Sequence, residues 1–165
     1  MPAADQGVFK DRYTLIPRVL IFLTRGEDIL LLKGAPDKRI WPNQYNGIGG
    51  HVERGEGVLA AARRELLEET GLQAERLWLC AAITIDTGED TGIGMYVFRG
   101  EATGEPKQTE EGLAEWVPIA EIGSLPLVED LPALIPKALA LKRGDAPLSL
   151  HYRYEGDKLE IEADK

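Results

Sequence analysis

Apolar residues fall into two kinds of pattern along this chain. Arg18 to Leu23 (Arg-Val-Leu-Ile-Phe-Leu) is an unbroken apolar run opened by a charge, and Ile29 to Leu32 is a second. Short continuous runs bounded by turn residues predict buried strands, and the polar link Thr24 to Asp28, with Gly26 inside it, predicts a hairpin. Arg76 to Asp86 and Met95 to Glu101 predict two more strands about a turn at Gly88 to Gly94. Glu115 to Ile119 predicts a short strand ended by Pro118, after an acidic loop from Gly104 to Gly112. Leu148 to Tyr154 and Lys158 to Ile161 alternate around Glu155-Gly156-Asp157, the signature of a further hairpin. Helical spacing appears twice. Leu59, Ala62, Leu66 and Leu67 form one set, closed by Gly71, which tolerates positive φ. Leu131, Leu134, Ile135, Ala138, Leu139 and Leu141 form the other, predicting a helix over Leu131 to Lys142. Pro132 suits its first turn, and Pro136 is expected to kink it or delay its start. Residues 1–13 read as a loose lead-in. By pattern alone the fold is α/β or α+β.

Composition narrows the function classes. A chain of 165 residues fits a single domain over 1–165. The net charge of −9 argues against a nucleic-acid surface, because phosphate backbones need basic patches. The single Cys80 excludes an internal disulfide and, in its apolar run, reads as a core residue. The N-terminus lacks the basic start and apolar core of an export signal, so a cytoplasmic location is expected. Leu15 to Leu23 is broken by Pro17 and Arg18 and is shorter than the roughly 20 residues a membrane span takes, so no membrane partner is expected.

The first helical segment carries the chemistry. Glu65, Glu68 and Glu69 stand at i, i+3 and i+4 and so share a helix face. Like charges at that spacing repel, by roughly 0.2–0.5 kcal/mol per pair, and they crowd the helix C-terminus, where the macrodipole disfavours them. A hard divalent cation would reverse the sign of both effects. An acidic face simply solvated by water is the alternative.

The residues around these acids form a longer pattern: Gly50, five residues, Glu56, seven residues, Arg64-Glu65-Leu66, one residue, Glu68-Glu69, one residue, Gly71-Leu72. It resembles the Nudix box at every fixed position, and the order of elements extends the resemblance to most of the chain. The resemblance implies an α/β/α sandwich around a mixed sheet, with the box as a loop–helix–loop beside a substrate cleft. It implies hydrolysis of a diphosphate linkage in a nucleoside diphosphate joined to another group, with Mg²⁺ as cofactor and Mn²⁺ as substitute. By position, Glu65, Glu68, Glu69 and the Gly50 carbonyl become metal ligands. Glu68 or Glu69 becomes a base toward the attacking water, and Arg64 an orienting residue paired with Glu56. A further acid is expected from the facing loop, where Glu111 is favoured over Glu110.

Substrate selection is expected from outside the box. The loop from Lys33 to Gln44 holds two prolines and Trp41, a composition suited to the wall of a site, so Trp41 and Lys33 are candidate substrate contacts. Tyr45-Asn46-Gly47-Ile48-Gly49-Gly50 is similar to the lead-in of the MutT-like oxidised-purine nucleoside triphosphate diphosphatases. Glu129-Asp130 is similar to the acidic base-reading segment of that group. The resemblance makes Asn46 and Asp130 candidates for base recognition, since an amide and a carboxyl can serve both edges of guanine. The tryptophan expected near those acids is absent, with Val128 near its place. Asn46 as a turn residue and Asp130 as a helix N-cap are the structural alternatives. The expected substrate is an 8-oxo-dGTP-type nucleotide. Another nucleotide, or a nucleotide-sensing regulator that does no chemistry, are the competing readings. A fold relative, isopentenyl diphosphate isomerase, uses a cysteine, and a buried Cys80 argues against it. Either a monomer or a homodimer is compatible with the chain.

Overall fold

A computed structural model describes residues 1–164. In chain order the strands are β1 (Thr14–Arg25), β2 (Asp28–Gly34), β3 (Tyr45–Asn46), β4 (Ile48–His51), β5 (Trp78–Ile85), β6 (Thr91–Glu101), β7 (Gly112–Pro118), β8 (Leu148–Glu155) and β9 (Lys158–Ala163). Helix α1 (Val58–Thr70) follows β4, and α2 (Leu131–Ala140) precedes β8. The strands form one mixed sheet in the order β3-β2-β1-β6-β5-β8-β9, with β4 also on β1 and β7 also on β2. β1 runs parallel to β6 from Thr14 to Thr24 and antiparallel to β4.

β1 shows why its sequence is apolar without alternation. Leu20 and Phe22 pack on one face with Leu131, Leu134 and Ile135 of α2. Val19, Ile21 and Leu23 pack on the other with Ala61, Ala62 and Leu66 of α1. A strand covered on both faces has no solvent side to record. The sheet therefore lies between two helical layers, the α/β sandwich expected.

Several boundaries differ from the sequence pattern. β1 begins at Thr14 rather than Arg18, because backbone pairing with Thr91 to Gly94 extends it through exposed residues. The expected turn at Gly88 to Gly94 is correspondingly shorter. On α1, Ala61 is buried while Leu67 is 48% exposed, so the apolar stripe is narrower than the spacing implied. α2 begins at Leu131 and runs through Pro136 without delay, at the loss of one ladder bond. Its C-terminus is held by Arg99, whose Nη1 donates to the carbonyls of Ala138 (3.1 Å), Leu139 (3.4 Å) and Leu141 (2.6 Å). A cation on the last carbonyls opposes the negative end of the helix dipole. Arg99→Gln is expected to lower stability by about 1–2 kcal/mol, read as a lower urea midpoint at unchanged m-value.

Candidate functional site

The loop between β4 and α1 is tied down by one side chain. Arg64 Nε and Nη2 donate to the two carboxylate oxygens of Glu56 at 3.0 and 2.7 Å. Nη2 also donates to the His51 carbonyl at 3.0 Å, and Nη1 reaches Glu65 at 2.8 Å and Glu68 at 3.1 Å. The Glu53 amide donates to Glu56 at 2.7 Å. The guanidinium, together with that amide, holds the Glu56 carboxyl down at about 2. A planar fork with five donors suits this junction better than a point charge.

The three box acids do not point alike. Glu68 is 58% exposed at its side chain and faces outward to Arg64. Glu65 turns inward under β4, where a Cβ on Gly50 would meet its carboxylate and displace it from its present place. Burial raises its pKa, against the pull of Arg64. Glu69 is 8% exposed, and its Oε2 is buried without a hydrogen-bond partner. Burial first, and the nearby Glu65 charge second, push its carboxyl up to about 8. Among the described residues no three acidic, histidine or cysteine side chains converge as a ready-made cage for a metal. The donor set nonetheless fits a hard divalent ion. An orphaned carboxylate oxygen beside a second desolvated carboxylate is costly alone, and a cation would satisfy it.

Glu65 and Glu69 line a cleft of about 800 Å³. Glu111 also lines it, and its carboxylate is ion-paired with Lys38 at 2.9 Å. Glu110 borders the acidic hollow outside, with Glu68. The same cleft is lined by Asn46 and Asp130, together with Tyr152 and Tyr154 of β8. Asp130 occupies the N-cap position of α2 but makes no side-chain cap. Instead the Tyr152 hydroxyl donates to its Oδ2 at 3.1 Å, and burial raises the carboxyl's pKa. Asn46 Oδ1 accepts from the Gly47 amide at 2.8 Å, which leaves its amide nitrogen without a protein partner among the described residues. Trp41 lines the cleft at 43% exposure with φ of 54°, a left-handed conformation that costs a bulky residue roughly 1–2 kcal/mol.

Lys33 departs from expectation. Its ammonium lies 5.8 Å from the centroid of the Tyr45 ring, and the residue does not line the cleft. β2 pairs with β3 at Lys33↔Tyr45, and that register directs the side chain to its cross-strand neighbour. Cys80 is fully buried, and burial pushes its thiol up to about 12, so it is no nucleophile. Among the cleft residues that escaped the sequence reading are Arg18, His51, Lys38, Arg39, Tyr152 and Tyr154. A charge opening an otherwise apolar strand was a signal for Arg18, and nothing in the pattern singled out the others. No helix among the described residues is long and apolar enough to cross a membrane.

The model of the NUDIX domain matches residues 14–138. A protein of Danio rerio named oxidized purine nucleoside triphosphate hydrolase is 35% identical over 94 residues, which is 56% of this chain and 60% of that relative. The NAD-capped RNA hydrolase NudC of Stutzerimonas stutzeri is 29% identical over 114 residues, 68% of this chain and 40% of that one. The chain thus spans less than two thirds of the length of either. Among solved structures, a mutator MutT protein from Bacillus halodurans superposes with a TM-score of 0.71 at 24% identity, covering 91% of this chain and 98% of that one. That likeness is one of fold.

Proposed function

This chain belongs to the NUDIX family, and on that premise we propose that it is a divalent-metal-dependent diphosphohydrolase. Its proposed reaction converts a nucleoside triphosphate of the 8-oxo-dGTP type to monophosphate and pyrophosphate, in the cytoplasm. The observation that carries this reading is the orphaned Glu69 Oε2 beside Glu65, in a cleft that Asp130 and Asn46 also line. The zebrafish relative's name supports the substrate class.

In this reading Glu65, Glu68, Glu69 and the Gly50 carbonyl would hold Mg²⁺ or Mn²⁺. The ion supplies charge neutralisation at the phosphates and a more acidic water. The chain's own residues do the rest. Glu69 or Glu68 accepts a proton from the attacking water. Arg64 fixes the loop that places the Gly50 carbonyl. Lys38 pairs with Glu111 at the cleft, where Glu111 serves as an additional ligand or base. Asp130, whose carboxyl pKa burial raises and which Tyr152 holds in place, offers its carboxyl to a purine edge. Trp41 offers a ring face to the base, a role left open by Val128, which is 4% exposed and aliphatic.

The test is a Mg²⁺-dependent turnover panel with products identified by chromatography. The panel holds 8-oxo-dGTP, the four dNTPs, ADP-ribose, NAD and a nucleotide sugar. A kcat/KM for 8-oxo-dGTP at least tenfold above dGTP is expected. Preferred cleavage of NAD or ADP-ribose would move the chain to the reading that its likeness to NudC favours. No turnover of any substrate would leave the nucleotide-sensing alternative.

A further inference from the structure

Arg18 is a charge on the floor of the cleft that the reaction outlined above does not use. It sits in the middle of the sheet, directly across from His51 on β4 and from Met95 on β6. Its Nε donates to His51 Nε2 at 3.3 Å. Through that bond the imidazole props the guanidinium from one side. Among the described residues Arg18 makes no ion pair, and its two terminal nitrogens make no hydrogen bond. The contrast with its neighbours is plain. Lys38 is tied to Glu111, and Arg64 to three glutamates.

Cleft lining and strand pairing place this charge beside the acids. Across the floor the strands run β4, β1, β6, β5, β8. Gly50 stands on β4 next to His51, against Glu65, while Tyr152 on β8 holds Asp130. Arg18 lines the same cleft as Glu65, Glu69, Asn46 and Asp130, and its cross-strand partner His51 adjoins Gly50, the residue packed against Glu65. A nucleotide bound with its phosphates at the acids shares that cleft with Arg18, and the phosphate attached to the nucleoside is the anionic group between the acids and the base. A propped guanidinium with both terminal nitrogens free presents a two-pronged donor, which matches phosphate oxygens.

We infer that Arg18 binds the nucleoside-proximal phosphate of the substrate and that His51 is the positioning residue that aims it. This rests on the nucleotide-hydrolase reading and adds a subsite to it. The role is one of binding and orientation, so its signature is a rise in KM that exceeds any fall in kcat.

The experiment is calorimetric titration in EDTA, where no turnover occurs. The probes are 8-oxo-dGMP, dGMP and their two nucleosides. The proteins are the wild type, Arg18→Gln, His51→Gln and His51→Leu, each checked for its fold by circular dichroism. The wild type is expected to bind each monophosphate at least tenfold more tightly than its nucleoside. Arg18→Gln is expected to erase that advantage while leaving nucleoside affinity unchanged. His51→Gln keeps an acceptor for Arg18 Nε and should retain the advantage, whereas His51→Leu should lose most of it. A phosphate advantage that survives in Arg18→Gln, or that is absent from the wild type, overturns the inference. Equal advantages for dGMP and 8-oxo-dGMP, with equal nucleoside affinities, would uphold Arg18 while removing the oxidised-purine reading.

Discussion

Glu69→Gln is expected to reduce kcat on the order of 10³-fold with little change in KM, because it removes a general base and a metal ligand without changing shape. The same substitution is expected to stabilise the metal-free protein. The sign follows from linkage. In the folded chain burial and the Glu65 charge push the Glu69 carboxyl up to about 8, from an ordinary value of 4.5. A carboxyl whose folded pKa is raised is destabilising when ionised, so the wild type loses stability from about pH 4.5 upward until the cost levels off above about pH 8. Thermal melts in EDTA should therefore show the glutamine variant melting above the wild type at pH 8 and level with it at pH 4. Adding Mg²⁺ should raise the wild type and leave the variant unmoved. A variant that is equally active, or that melts lower than the wild type in EDTA at pH 8, would sink the assignment of Glu69.

Arg64→Gln is the second large effect. It leaves Glu56, Glu65 and Glu68 without their common counter-ion and releases the His51 carbonyl. Residues that orient ligands from behind typically carry 10- to 100-fold in metal affinity or activity, and a roughly 100-fold loss in kcat/KM is expected here. Arg64→Lys restores the charge but not the fork, so it should recover only part of that loss. A lysine variant with full activity would show that charge alone holds the loop, against the geometry described above.

The sequence made the chemistry of α1 legible because the box residues interact locally. Gly50, Glu56, Arg64 and the three glutamates lie within one loop and one helix, where spacing translates directly into geometry. It left undetermined which acids turn inward, since that depends on what covers each face of the helix. Leu67 and Glu68 face outward beside inward Leu66 and Glu69, and only the packing of α1 on β1 and β4 decides the split. The rest of the cleft was harder still. Asp130 read equally as a helix cap or a ligand group, because its partner Tyr152 lies on a strand that reaches the sheet by parallel pairing with β5. Lys33 erred in the opposite sense. Its place in the chain suggested the cleft, but strand register turned it to Tyr45. Short-range pattern reveals the periodicity of an element and says little of its neighbours across the sheet.

The three tryptophans occupy unlike settings. Trp78 is covered by the Arg99 guanidinium at 5.2 Å and Trp116 by that of Arg25 at 4.5 Å. Trp41 alone stands at the cleft, open to water. The protein thus carries its own optical probe of occupancy. Iodide should quench the emission of Trp41 preferentially, with Lys38 and Arg39 drawing the anion toward it. A ligand seated in the cleft should shield that fraction of the light and shift it to shorter wavelength, with no label attached.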